Sequence, residues 1–470
     1  MKGFFIFNKK IYVMNKTNFI FFYFLFSLLY ADFNFNTKIT QTSNIQQLFP
    51  DLVVDEYGNI HAVWVEQIGN SKNIFYSNSI DNGLTFNEKI RVNTVDGSVV
   101  AFGGAGPRIG YYNNKIYIIW SDSRNGYNNT SIYLNFSIDN GLSWMNDFEV
   151  SDQFYFQLYG DMDIDAFGVM HLIYYNYLSN LNFSDMRYAK FYLDEMILEE
   201  SIQVGVTNDS AEPCDCCTPD IDVTPEGDVY VAYRNNSNNI RDHYITSKMA
   251  SQDEFITAIP IAQLNDNINF CPSSSPSISI KQDKIGASGM YYNGQGIFLT
   301  LGESENLNFQ NLIYLEPNTS INNYPKIVLC NEFLHVIWID ATNNEVLYSK
   351  LDLSTNLLED SQNLIITDEN ITQVSEPKIV MYDDNLYVIW TDNRNGINNV
   401  YYSSNKPLDI LLGDINRDEL VNIVDILMVI NHIIGVQYFS SQQFLAADIN
   451  NNNVVNILDI IQIINIILGN

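Results

Sequence analysis

Two sets of oxygen-bearing side chains near the C-terminus repeat one spacing. Asp414, Asn416, Asp418, Asn422 and Asp425 are followed by Asp448, Asn450, Asn452, Asn456 and Asp459. In each set the residues fall at positions 1, 3, 5, 9 and 12 of a loop that runs into an apolar segment. That pattern presents hard oxygen ligands to Ca²⁺ just before a helix begins. Two calcium sites are expected. The first loop offers Asp414, Asp418 and Asp425 as carboxylates and the second only Asp448 and Asp459, which weakens its pull on the cation. Against this, position 6 needs a sharp turn and is Glu419 in the first loop but Asn453 in the second. Asn tolerates left-handed backbone and Glu does so poorly, so strain is expected at Glu419.

The five cysteines are a second chemical resource. Cys214, Cys216 and Cys217 crowd into Pro213-Cys-Asp-Cys-Cys-Thr-Pro, and Cys271 opens Cys-Pro-Ser-Ser-Ser-Pro. In an exported chain clustered thiols read first as disulfides, so these four are the disulfide candidates. Cys330, within an apolar run, is then the free thiol. A soft-metal site built from three or four of the clustered thiols is the alternative.

The elements that must position these groups follow from a repeat. From Asp51 to Val92 the chain alternates short β-branched and aromatic runs with turn residues, giving four strands. One such sheet cannot bury its own faces, so copies must stack. Seven copies follow at a spacing of roughly 50 to 60 residues. Their first strands begin at Pro50, Pro107, Asp161, Pro219, Pro276, Pro325 and Pro377. The seventh copy lacks a fourth strand, and Thr37-Lys-Ile-Thr-Gln is free to supply it, closing a ring by its two ends. The fold class is mainly β: a seven-bladed propeller over residues 36–404. A six-bladed ring, with a miscounted fifth copy, is the alternative. Innermost strands line the axis, so residues just after the leading Pro crowd one mouth. These are Asp51, Arg108, Asp220, Lys326 and Lys378, a mixed-charge ring able to hold a sugar or an ion.

Two copies carry the pattern S-x-D-x-G-x-[ST]-[FW]: Ser79, Asp81, Gly83 and Phe86, then Ser137, Asp139, Gly141 and Trp144. The Asp caps turn amides and Gly supplies a positive φ. These segments resemble the Asp boxes (BNR repeats) of sialidase-like propellers, where the box is a folding device away from the active site. The resemblance implies glycan binding and, if catalysis is retained, hydrolysis of exo-sialidase type by three arginines, a Tyr–Glu pair and an Asp. The arginines on or near expected inner strands are Arg108, Arg234 and Arg241. The family's Arg-Ile-Pro motif is absent, since Gly106-Pro-Arg-Ile reverses it. That departure favours a recognition module over an enzyme. Cys-x-Cys-Cys-Thr-Pro, followed by Tyr233-Arg234 and Arg241-Asp242, resembles a group of secreted sialidase-like bacterial propellers. The face between the fourth and fifth blades is therefore a place to expect a ligand. The paired Trp-Ser-Asp-Ser-Arg124 and Trp-Thr-Asp-Asn-Arg394 recur in equivalent blades, which points to loop-stabilising ion pairs.

Residues 412–470 resemble a type I dockerin, a small α-helical domain of two calcium loop–helix repeats, joined by a short linker over 405–411. Its helices are apolar almost all round, so Ile423, Val424, Ile457, Leu458 and their neighbours need a cover. The resemblance implies a cohesin-like partner; docking on the chain's own propeller is the alternative. Near the N-terminus, Lys9, Lys10 and Lys16 precede an apolar run from Phe19 to Leu29, with Ala31 as the last residue before cleavage. Residues 1–31 read as a secretory signal, too short in its apolar run to span a membrane. No later stretch is apolar enough to span. The net charge of −31 repels a nucleic-acid backbone and suits a secreted, cation-binding protein, free or cell-surface associated.

Overall fold

A computed structural model describes residues 3–7, 10–14, 33–40, 44–152, 156–177, 184–207, 212–214, 216–291, 296–315, 321–367, 370–407, 410–418, 420–439, 441–450 and 454–469. Phe19–Leu29, Ala31, Glu419, Asn452 and Asn453 lie outside the described residues. Gly3–Phe7 and Lys10–Met14, within the expected export segment, pair as an antiparallel hairpin.

Seven antiparallel sheets of four or five strands make the propeller. The inner strands are Gln46–Val54, Arg108–Tyr112, Phe156–Ile164, Asp220–Val223, Ser277–Lys281, Asn322–Leu329 and Val374–Tyr382. Each touches the next, and the seventh touches the first, so the ring is closed. The closing strand is Thr37–Lys38, with Thr37 opposite Tyr402 and Lys38 opposite Tyr401 of the seventh blade. Asn34 N–H donates to Ser404 O at 2.7 Å and Ile39 N–H to Val400 O at 3.1 Å, extending the seam. The six-bladed alternative fails because the fifth copy is a full four-stranded blade. Its second strand reads as weak because neighbours crowd it. A Cβ on Gly289 would lie 2.5 Å from the His243 ring, and one on Gly286 2.7 Å from Leu334 Cδ1.

Second strands bury Trp64, Trp120, Trp338 and Trp390 between blades. A buried indole N–H needs an acceptor, and each has one: Glu66, Asp122, Asn322 and Asp392. Asp122 and Asp392 then receive Arg124 and Arg394, whose guanidinium groups lie 4.0 and 3.9 Å over Tyr133 and Tyr401. These arginines hold loops and do not face the axis.

The helical domain has α1 over Ile423–Ile433, α2 over Ser441–Ala447 and α3 over Ile457–Leu468; the sequence gave no sign of the short α2. Ile415, Ile426, Val429, Ala446, Ala447 and Ile463 form its core. Ile423, Val424, Ile457 and Leu458 are between 46% and 67% exposed, so nothing in this chain covers them. No described helix is long and apolar enough to cross a membrane.

Candidate functional site

The axial cavity encloses about 310 Å³ and is lined by the same position of all seven inner strands: Asp51, Arg108, Asp161, Asp220, Ser277, Lys326 and Lys378. Five of these follow the leading Pro. The sixth, Asp161, follows Gly160, and the fifth blade contributes a neutral Ser277. In four blades a bulge aims the lining residue inward. The residue two positions earlier takes a left-handed backbone: Phe49 (φ 55), Tyr159 (φ 56), Tyr324 (φ 53) and Glu376 (φ 54). The ladder slips there in each case. Three of these four precede a proline, where such a backbone is further disfavoured. Strain of this kind persists only where packing enforces it.

Most of the ring is committed to holding the blades together. An inner strand leaves its axial edge unpaired, and side chains of the preceding blade cap it. Asp51 accepts from Ile109 N–H at 3.2 Å, Asp220 from Ile278 N–H at 2.8 Å and Ser277 from Ile327 N–H at 3.3 Å. Two residues on, Asp163, Asp222 and Ser279 accept from Val223, Ile280 and Leu329. This alternation of short acceptors is a substitute for the missing ladder. Arg108 Nε donates to Asp161 at 2.9 Å, and Lys326 Nζ to Asp220 at 2.7 Å.

Lys378 differs. Among the described residues it makes no ion pair or hydrogen bond, although it lines the cavity. Burial, then the charges of Arg108 and Lys326, push its pKa down to about 8. Its solvent contact is only partial, because channel walls enclose the water it meets. Burial also raises Asp163 to about 6, helped by Asp161 and Asp165 and opposed by two backbone N–H donors. Behind Lys378 a small recess is lined by Arg108, Tyr324, Glu376 and Ser275. Burial raises both Tyr324 and Glu376 above their usual ranges.

The three arginines singled out from sequence do not converge. Arg108 lines the cavity. Arg234 lies on a second strand, fully buried, donating to Arg241 O and Met290 O. Arg241 sits in the following turn, against Ile268 O and Cys214 Sγ. Neither lines the axial cavity.

The five thiols form no disulfide. Cys214 Sγ lies 3.3 Å from Cys216 Sγ and 3.8 Å from Cys217 Sγ, and Cys271 Sγ lies 3.7 Å from Cys216 O. Cys330 is in a hairpin turn rather than inside a strand. It occupies the place that Asp55 and Asp165 take beside His61 and His171, with His335 Nε2 at 3.7 Å. Each of these histidines also meets a Tyr hydroxyl. A threefold recurrence across blades makes this a packing device, not a catalytic triad.

The Asp boxes clasp one blade to the previous one. Asp81 Oδ1 accepts from Thr85 N–H at 2.9 Å and Asp139 Oδ1 from Ser143 N–H at 2.8 Å. Ser79 and Ser137 each accept from the box glycine. Phe86 packs edge-on against Tyr402, and Trp144 against Tyr76, both from the preceding blade.

In the helical domain, Asp425 accepts from Ile415 and Asn416 N–H and Asp459 from Ile449 N–H, curling each loop over a buried carboxylate. Asn422 and Asn456 cap α1 and α3, and Asp425 and Asp459 complete reciprocal capping boxes. The Asn-x-x-Asp spacing thus serves both helix start and ligand loop. The left-handed residue described in the first loop is Arg417 (φ 62). Asp414, Asp425, Asp448 and Asp459 are all buried, and Asn450 Oδ1 is buried without a partner. Clustered buried oxygens of this kind fit a hard divalent cation.

Residues 412–468 match the family described as Dockerin type I domain. No curated protein matches the chain. Among solved structures, an ulvan lyase of polysaccharide lyase family PL25 is 9% identical, with a TM-score of 0.52, covering 78% of this chain and 95% of that one. The polysaccharide lyase Uly1 is 8% identical, with a TM-score of 0.51 and coverages of 80% and 92%. An α-L-arabinanase of Penicillium chrysogenum is 16% identical, with a TM-score of 0.47 and coverages of 69% and 100%. At these identities the likeness is one of fold. The chain is a seven-bladed β-propeller that carries a type I dockerin domain at its C-terminus.

Proposed function

We propose that this is a secreted glycan-recognition propeller, tethered by a calcium-loaded dockerin to a cohesin-like partner. The observation that carries the binding reading is Lys378, an uncommitted ammonium in a ring whose other charges are already paired or capping backbone. A carboxylate or sulfate on a sugar would complete it, while Asp51, Asp161 and Asp220 retain lone pairs for hydroxyl groups. The carbohydrate-acting names of the fold's neighbours agree with a saccharide ligand. Calcium would be held by Asp414, Asn416, Asp418, Asn422 and Asp425, and by Asp448, Asn450, Asn452, Asn456 and Asp459. It would supply charge neutralisation to the buried carboxylates of each loop. The exposed Ile423, Val424, Ile457 and Leu458 would meet the cohesin-like surface.

Hydrolysis of sialidase type is the second reading, supported by Tyr324 and Glu376 lining one recess with Arg108. Three features weigh against it: the arginines are dispersed, Tyr324 is pushed away from ionisation, and the recess is small. The test is a panel of neutral, uronic and sialic oligosaccharides offered to the calcium-loaded full chain, with binding and turnover followed together. Binding of acidic members without turnover is expected. Turnover abolished by Tyr324→Phe would replace this reading with the second, and silence toward all glycans would remove both.

A further inference from the structure

The thiols of the fourth blade's leading loop converge on one point. Cys214, Cys216 and Cys217 place their sulfurs within 4.8 Å of one another. A tetrahedral d¹⁰ cation with bonds of about 2.3 Å holds its sulfurs about 3.8 Å apart, and the observed separations of 3.3 and 3.8 Å bracket that edge from below. One disulfide among three such thiols would strand the third at the same point, whereas one cation takes all three. The loop is shaped for this. Cys217 N–H donates to Cys214 O at 3.2 Å, and Cys214 N–H to Arg234 O at 2.7 Å, folding the segment back on itself.

The surroundings suit accumulated negative charge. Arg241 donates to Cys214 Sγ at 2.8 Å, the kind of N–H···S bond that stabilises a thiolate ligand. Beside the loop, Arg234 Nε, Thr218 Oγ1 and Ser274 Oγ are buried with no hydrogen-bond partner. The axial cavity's carboxylates are hard ligands and do not compete for a soft ion.

We propose that Cys214, Cys216 and Cys217 form a thiolate site for a soft or borderline d¹⁰ cation, zinc(II) or copper(I), with the fourth position toward Cys271. The ion would pin the fourth blade's leading loop to the segment before the fifth blade, at the margin of the axial channel.

The test uses the full chain, reduced and stripped of metal, with calcium in excess so that the dockerin loops stay filled. Titration with cadmium(II) should develop thiolate-to-metal charge-transfer absorption that saturates at one equivalent, and zinc(II) should displace it. Cys216→Ser and Cys271→Ser, both at accessible positions, should weaken or abolish the band while circular dichroism stays native. Cys330→Ser should leave it intact. No band, or a band unchanged in Cys216→Ser, would overturn the site. So would a non-reduced mass that places Cys214, Cys216 or Cys217 in disulfides.

Discussion

The inter-blade clasp can be tested by one methyl group. Gly141 has φ 85, and a Cβ there would lie 2.1 Å from Tyr76 Cε1. Tyr76 cannot swing away freely. Its hydroxyl is 2.6 Å from His61 Nδ1 and its ring is wedged against Trp144 at 5.1 Å. Gly141→Ala should therefore cost two terms: about 1–2 kcal/mol for left-handed Ala backbone, and about 1–3 kcal/mol for forcing a methyl into packed space. The control is Gly396→Ala, with φ 84 and nothing within 4 Å of the added Cβ; it carries the first term alone. Urea unfolding of both variants, monitored by tryptophan fluorescence with calcium present, should place Gly141→Ala roughly 1–3 kcal/mol below the control. Equal costs would refute the clasp. The companion box predicts the same ordering, because a Cβ on Gly83 would lie 2.0 Å from Tyr402 Cε1.

Other consequences are open to measurement. Arg124→Ala strands Asp122, which is fully buried, and Asp147; a loss of about 3–5 kcal/mol is expected by denaturant unfolding, against little change for the exposed Arg91→Ala. Asp163 is raised in the folded state to about 6, so its contribution is fully present below the unfolded value near 4 and fades as pH rises through about 6. Thermal melts between pH 5 and 7.5 should show the propeller losing about 1–2 kcal/mol, the full shift discounted for channel water; a rise across that window would contradict the assignment. Calcium removal, or Asp425→Ala, should melt α1 and α3 by circular dichroism while leaving the propeller's unfolding transition in place.

The ring was legible because its blades announce themselves through leading prolines, alternating second strands and turn residues, all local signals. The closing strand was legible too, since the seventh copy ended one strand short. Lys378 and four of its neighbours could be placed by counting one residue past Pro. What escaped was set between blades. The pairing of Arg108 with Asp161, and the capping of Ile109 by Asp51, join residues more than fifty positions apart. Left-handed backbone at Tyr324 and Glu376 carries no sequence mark, because Pro at the next position argues against it. Arg234 read as a ligand-facing residue only while its strand was taken as near the axis. On a second strand it points to Met290 O of the next blade. In the dockerin, spacing alone exposed the ligand positions, whereas α2 is too short and too lightly patterned to declare itself.

The central claim is that the axial cavity takes an anionic saccharide on Lys378. Isothermal titration of the calcium-loaded full chain with the acidic oligosaccharide retained in the panel tests it most directly. Binding should vanish in Lys378→Ala, persist in the surface variant Lys284→Ala, and weaken about tenfold per pH unit above 8, where the ammonium loses its proton. Undiminished affinity in Lys378→Ala, or affinity flat from pH 7 to 10, would contradict it.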